Sequence, residues 1–260
     1  MSLLIERDVE YTFGETVMRG LLLATTREAS PTVVLIHDAF GLGGFSLHAA
    51  HRYAELGYTV FAADIWGGRH QPADNDEVGP LIGWMVANRD EWLGRIHAAH
   101  DSARAQPEVQ AGRIVTIGYC FGGSSALEGL RTGEEVRGVV AIHPGLDLLD
   151  EDAAWMAVDG TPVLACIGDD DPMATRVQRT TLQAALSAAG ADWEFNVYSG
   201  TVHAFTNPRL AASTQPSIVA YNERSATRSR DATTRFLHET LHPRVTELTS
   251  VGTQNDKEES

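Results

Sequence analysis

Cys120 is the residue of this chain whose surroundings most suggest chemistry. It lies in Gly118-Tyr119-Cys120-Phe121-Gly122-Gly123, which follows the apolar run 113–117 and precedes a helix-like stretch at 124–130. Strand, glycine-flanked turn and helix form the setting of a nucleophile elbow, where the central residue is strained and bulky neighbours would clash. Unpaired N–H groups at the helix start favour a thiolate and, later, an oxyanion. The alternative is a buried cysteine that only packs.

A nucleophilic cysteine needs a base, and the base needs a group that orients it. After a nucleophile elbow the expected chain order is acid, then histidine. We predict Asp171 as the acid, in the aspartate-rich turn 168–172 after a strand-like run. Asp169 is the second choice, and helix capping is the alternative role for this turn. We predict His203 as the base, on a short loop after the strand-like run 193–198.

The other histidines are weaker candidates. His48 and His51, and likewise His97 and His100, are spaced three apart on helix-like stretches. Such pairs bind a metal only with further ligands, and no third ligand stands in a matching context, so we predict helix-surface positions and no metal site. His143 ends a strand-like run, and we predict that it lines the pocket.

The loop His37-Asp38-Ala39-Phe40-Gly41 follows the first apolar strand. In a fold with a nucleophile elbow, this loop donates one N–H of the oxyanion hole and the residue after the nucleophile donates the other. We therefore predict Ala39 and Phe121 as backbone donors. In comparable sites such a donor contributes about 2.7–4 kcal/mol.

Strand-like and helix-like patterns alternate along the chain, and several strands are apolar throughout. This predicts an α/β fold with a mostly parallel central sheet and helices on both faces. We expect strands at 17–24, 32–37, 58–63, 113–117, 136–142, 162–167 and 193–198, and helices at 46–56, 81–105, 124–130, 174–189 and 220–241. Loops are expected at 66–80 and 143–161. We expect one domain over residues 1–245 and a disordered tail over 246–260.

Composition restricts the partners and the compartment. The chain has 260 residues and a formal net charge of −15, which argues against nucleic acid and against anionic membrane surfaces. No secretory signal or membrane-spanning run is apparent. The only two cysteines are Cys120 and Cys166. We expect both to be free and the protein to be cytoplasmic.

The chain resembles the dienelactone hydrolase family of α/β-hydrolases over about residues 10–240. The cysteine elbow is the most specific part of the resemblance. The segments that carry it are His37-Asp38-Ala39-Phe40-Gly41, Gly57-Tyr58-Thr59-Val60-Phe61-Ala62-Ala63-Asp64, Gly118-Tyr119-Cys120-Phe121-Gly122-Gly123, Gly168-Asp169-Asp170-Asp171-Pro172 and His203-Ala204-Phe205-Thr206-Asn207-Pro208.

The resemblance implies a triad of Cys120, His203 and Asp171 that opens an enol lactone without a cofactor. Members of the family carry a glutamate that modulates the resting thiol, and Asp38 stands at that position here. They also hold the substrate carboxylate with arginines, one of them shortly after the histidine. Here Asn207 stands at that place, and Arg209 follows two residues later. The partner expected is a small ester or lactone, with the chain a monomer or a small homo-oligomer.

The chemistry of sulfur also favours activated esters. A thiolate is a good leaving group, so the tetrahedral intermediate of an alkyl ester would expel the thiol again, whereas an enolate leaves readily. Thioester acyl transfer is therefore the predicted mechanism. The alternatives are an aryl-esterase or thioesterase of the same fold, a non-catalytic binding protein on that scaffold, and a redox-sensing cysteine, which would give His203 and Asp171 no role.

Overall fold

The structure is a computed structural model that describes residues 5–150 and 152–242. Its eight strands are β1 (Ile5–Phe13), β2 (Thr16–Ala24), β3 (Ser30–Ile36), β4 (Thr59–Ala63), β5 (Val109–Tyr119), β6 (Gly138–Ile142), β7 (Pro162–Gly168) and β8 (Asp192–Tyr198). Its six α-helices are α1 (Gly44–Glu55), α2 (Asn75–Ala87), α3 (Arg89–Arg104), α4 (Phe121–Arg131), α5 (Arg176–Ala188) and α6 (Glu223–Leu241).

All eight strands form one sheet in the order β1-β2-β4-β3-β5-β6-β7-β8. The pairs β1·β2 and β2·β4 are antiparallel, and the remaining pairs are parallel. Side chains of α1 and α6 enter the core on one face of the sheet, and those of α2 to α5 enter the core on the other. This is the α/β-hydrolase fold, so the predicted fold class is confirmed.

Several predicted elements differ from the observed ones. The antiparallel strand β1 was not predicted. Only one face of this strand is covered, so polar residues alternate along it and no continuous apolar run marks it. The predicted loop 66–80 is wrong at its end, since α2 begins at Asn75 and contains Pro80. The predicted helix 81–105 is two helices, which meet at Asn88. Asp74 starts α2 by accepting hydrogen bonds from two backbone N–H groups of the first turn.

The prediction that the paired histidines lie on helix surfaces is wrong for one pair. His100 is buried, and its Nε2 lies 2.8 Å from Thr116 Oγ1. His97 is half-buried beside Glu134 at 2.6 Å. Both cysteines are free, as predicted.

The predicted tail, 246–260, lies outside the described residues, and the single domain over 1–245 stays a prediction. Among the described helices, none combines the length and the apolar character that crossing a lipid bilayer requires.

The parallel strands end at one edge of the sheet, where open α/β sheets place their ligands. The loops after β3, β5, β7 and β8 carry Asp38, Cys120, Asp171 and His203. The strand order places β3, β5 and β6 side by side at the centre, so the loops of these strands meet around Cys120.

Candidate active site

Cys120 occupies the turn between β5 and α4 with φ 54° and ψ −118°. A non-glycine residue at positive φ is strained, and strain of this kind collects at functional sites. The turn closes only because its neighbours lack side chains. A Cβ at Gly118 would overlap the Gly122 carbonyl, and a Cβ at Gly122 would overlap the backbone of Ile36 and His37. Cys120 is partly exposed, unlike the buried Cys166.

Asp171 and His203 are brought together at the same edge of the sheet. His203 Nδ1 donates to Asp171 Oδ2 at 2.8 Å, and both side chains are buried. The other carboxylate oxygen, Asp171 Oδ1, accepts from the Met173 N–H at 2.8 Å, which fixes the carboxylate. The hydrogen bond to Nδ1 leaves Nε2 as the free nitrogen of His203. It is buried and has no oxygen or nitrogen partner among the described residues.

The thiol of Cys120 lies close enough to His203 to change its protonation. Burial alone would lower the pKa of His203, but the charges and hydrogen bonds of Cys120 and Asp171 outweigh it and raise the pKa to about 10. His203 therefore favours the protonated form when a thiolate faces it.

The second-choice acid, Asp169, does not reach the histidine. Arg179 Nη2 donates to Asp169 Oδ1 at 2.8 Å. The aspartate turn does not cap the following helix either, because Thr175 does so in a capping box with Gln178.

The backbone N–H group of Ala39 lies on the loop after β3, and that of Phe121 lies at the first residue of α4, directly after Cys120. Within the described part of the chain, neither N–H has a hydrogen-bond acceptor. The Trp66 indole N–H donates to the Ala39 carbonyl at 3.1 Å, and its ring stacks on Phe121 at 4.4 Å. Trp66 thus contacts both residues that carry these N–H groups. Sequence reasoning missed this role, although the position of Trp66 just after β4 was the available signal.

Asp38 is buried at the predicted modulating position. Its Oδ1 accepts from the Phe40 N–H at 3.0 Å. Burial raises the pKa of Asp38 to about 6, against the opposing influence of the Phe40 hydrogen bond, Arg209 and His203. No hydrogen bond joins Asp38 to Cys120 among the described residues, and the modulating role of Asp38 stays a prediction.

His143 lies behind the nucleophile with φ 39°. The Cys120 N–H donates to its Nδ1 at 3.2 Å, so the ring proton is on Nε2, which donates to Thr206 Oγ1 at 2.8 Å. Burial, and then the charge of His203, lower the pKa of His143 well below its usual value. A neutral His143 therefore positions the elbow. Thr206 had not been singled out from the sequence.

Arg209 and Asn207 lie in the segment that follows His203. Asn207 accepts the Arg209 N–H at 3.1 Å, which shapes the loop. The Arg209 guanidinium extends toward Gly44, where a Cβ would lie 3.0 Å from Nη2. Its positive charge acts to lower the pKa of Asp38. Asp147, also missed from the sequence, lies near His203, and burial raises its pKa.

Comparison with known proteins agrees with this architecture. The dienelactone hydrolase family model matches residues 18–241. A solved structure titled as a dienelactone hydrolase-like promiscuous phosphotriesterase from metagenomic libraries is 31% identical with a TM-score of 0.83, covering 91% of this chain and 98% of its own. A second structure, titled m3DLH, is 32% identical with a TM-score of 0.82, covering 92% and 99%.

Among curated proteins, the "Putative carboxymethylenebutenolidase" of Yersinia pestis is 25% identical over 184 residues, or 67% of this chain and 68% of that protein. The family model matches most of the chain, and the chain has the α/β-hydrolase fold. These two findings establish its family. The chain belongs to the dienelactone hydrolase family and is a carboxylic ester hydrolase.

Proposed function

We propose that this protein hydrolyses activated esters, enol lactones above all, through Cys120, His203 and Asp171 and a thioester acyl-enzyme. One observation carries the proposal: a strained, partly exposed cysteine faces a histidine whose other nitrogen is bound at 2.8 Å to a buried carboxylate. A cysteine that only packed would have no need of positive φ or of an oriented imidazole.

The steps follow from the geometry. The thiol proton passes to His203 Nε2, while Asp171 holds the Nδ1 proton and stabilises the imidazolium. The thiolate forms a C–S bond to the carbonyl carbon, and the N–H groups of Ala39 and Phe121 bind the oxyanion. When the intermediate collapses, the C–O bond breaks and the leaving oxygen takes the proton of His203. Water then attacks the thioester with His203 as the base, which releases the acid and restores the thiol.

The surroundings of the site favour a substrate with an acidic group. Arg209 is a cation of the segment after His203, and its charge acts on the buried Asp38. A carboxylate on an enol lactone would find there the charge-assisted partner that carboxylates prefer. Aryl esters and thioesters also have good leaving groups, so they remain the second candidate class.

The experiment compares Cys120→Ala with Cys166→Ala. We expect Cys120→Ala to lose turnover of a dienelactone, and Cys166→Ala, which changes the same side chain in the core, to retain it. Circular dichroism checks that both variants are folded. Undiminished turnover in folded Cys120→Ala would refute the triad.

A substrate panel separates the two candidate classes. We expect a larger kcat/KM for dienelactone than for p-nitrophenyl acetate, and Arg209→Gln should reduce only the former. If the neutral aryl ester is preferred and Arg209→Gln changes nothing, the substrate is an aryl ester without an acidic group.

A further inference from the structure

We propose that a cavity between α1 and α6 is a second binding site, for a small carboxylate held by Arg52 and Arg230. The cavity has a volume of about 70 Å³ and is separate from the thiol, since Cys120 does not line it. By the same measure a single water needs roughly 10–15 Å³. The cavity therefore has room for several waters or for one small organic anion.

Arg52 is a half-buried cation without a carboxylate. Its Nη2 donates to the hydroxyls of Tyr119 at 3.0 Å and Tyr53 at 3.5 Å. Burial disfavours its charge, yet the two tyrosine oxygens raise the pKa of Arg52, so it stays protonated. Within the described residues, Nε and Nη1 have no hydrogen-bond acceptor and no ion pair reaches the side chain. These donors are free to bind an anion.

Arg52 differs in this respect from the arginines that are buried more deeply in the described part of the chain. The chain has 35 acidic and 20 basic residues, so a carboxylate is rarely far away. The more deeply buried arginines all have one, in the pairs Arg95–Glu91, Arg131–Glu128 and Arg179–Asp169. Leaving a buried charge unpaired is costly. A partly buried cation that no carboxylate of the described residues neutralises points to an anion from outside.

Arg230 adds a second cation at the rim of the cavity. It is exposed, and its Nη2 donates to Thr227 Oγ1 at 2.9 Å. In the described part of the chain it has no ion pair. Ser229 also lines the cavity, and its buried hydroxyl, which has no oxygen or nitrogen partner in this part of the chain, interacts with the Cys166 thiol. Two cations suit one carboxylate group.

The remaining walls are partly apolar, beside the polar side chains of His48, Tyr119, Thr206 and Thr233, and their apolar part restricts the ligand further. Phe45, Ala49, Ile142 and Pro208 line the cavity. Inorganic phosphate has no apolar part, so it would leave these walls facing water. A short aliphatic carboxylate covers them while its head group reaches Arg52. We therefore assign the site to small carboxylates with an apolar body, and butyrate is the probe.

The test measures butyrate binding by calorimetry to the full chain, with Cys120 blocked by iodoacetamide so that the reaction at the thiol cannot contribute. We expect saturable binding at one site, and none for neutral butyramide. Arg52→Gln should weaken binding roughly tenfold or more, because it removes charge-assisted hydrogen bonds. Arg230→Gln should weaken it severalfold. Arg228→Gln, the same charge change on the same helix but outside the cavity lining, should leave the affinity unchanged.

Arg52 also holds two tyrosines, so Arg52→Gln could lose its fold. In that case two other variants are used. Arg52→Lys keeps the charge, and Arg230→Gln leaves the tyrosine contacts intact. Absence of saturable butyrate binding overturns the proposal, and so does equal affinity in Arg228→Gln and Arg230→Gln. Phosphate binding without butyrate binding overturns the assignment to carboxylates. Because the thiol is blocked throughout, these outcomes are independent of the proposed hydrolysis.

Discussion

At the residue scale, the burial of Asp38 makes the stability of the protein depend on pH. Its side chain is 8% exposed, and burial raises its pKa from 3.8 to about 6. The folded protein therefore binds this proton more tightly than the unfolded chain does. Stability is highest below the unfolded pKa and falls as pH rises from about 4 to about 6, since the folded state then must ionise a buried group. Above that range the carboxylate destabilises the fold.

The prediction is that Asp38→Asn removes this part of the pH dependence. Asparagine keeps the size and has no charge to bury. Relative to the native chain, the free energy of unfolding should be higher by on the order of 2 kcal/mol at pH 8 and about equal at pH 3.5. Urea unfolding at both pH values measures it. Asp147→Asn is the matched control, because that carboxylate is more exposed and should give a smaller change. An equal difference at both pH values would contradict the argument.

At the element scale, the turn between β5 and α4 requires two stretches of backbone to touch. A side chain between them would prevent this contact. A Cβ at Gly122 would overlap the carbonyl groups of Ile36 and His37 at the end of β3. The clash is with backbone, which cannot move aside as a flexible side chain can. Gly112 lies in β5, the strand that leads into this turn, and a Cβ there meets nothing within 4 Å. Gly112 therefore serves as the control glycine, without a close backbone contact.

We expect Gly122→Ala to lower the free energy of unfolding by about 3 kcal/mol or more and to reduce turnover strongly, since the start of α4 must move away from the end of β3 to admit the methyl group. Gly112→Ala should change stability by less than about 0.5 kcal/mol. Thermal unfolding and the turnover of dienelactone are the measurements. A stable and active Gly122→Ala would show that the elbow does not need the close approach to β3.

Comparison of the elements shows what local patterns can predict. The buried parallel strands were predicted because both faces are covered and the residues are apolar throughout. Strand β1 was missed because half of its residues face solvent, and the break at Asn88 was missed because its flanks are helical on both sides. The burial of His100 depends on Thr116, a contact between a helix and a strand that no local pattern contains.

The same distinction applies to the site. Cys120, Asp171 and His203 stand in local motifs, so their types and order sufficed to single them out. Thr206 and Trp66 act through other residues, Thr206 on the His143 ring and Trp66 on the Ala39 carbonyl. Their roles need the positions of four separate strands, which sequence spacing alone does not supply.

At the scale of the whole molecule, a net charge of −15 surrounds a site that we propose takes an anionic substrate. The global field repels such a substrate, while Arg209 attracts it only at short range. At about 10 mM ionic strength the Debye length is about 30 Å, and at 0.1 M it is about 10 Å. Added salt therefore screens the distant acidic residues more than the contact with Arg209. Encounter with an anion should become faster as salt is added.

We predict that kcat/KM for an anionic lactone rises by roughly two- to tenfold between about 10 and 150 mM salt, provided that encounter limits the rate. The value for neutral p-nitrophenyl acetate should not change, because it feels no net field. Initial rates at low substrate concentration measure both. Arg209→Gln should lower kcat/KM for the anion at every salt concentration and keep the same upward trend, since the distant charges are unchanged. A fall with salt for the native chain, absent in Arg209→Gln, would mean that local attraction by this arginine outweighs the repulsion of the whole surface.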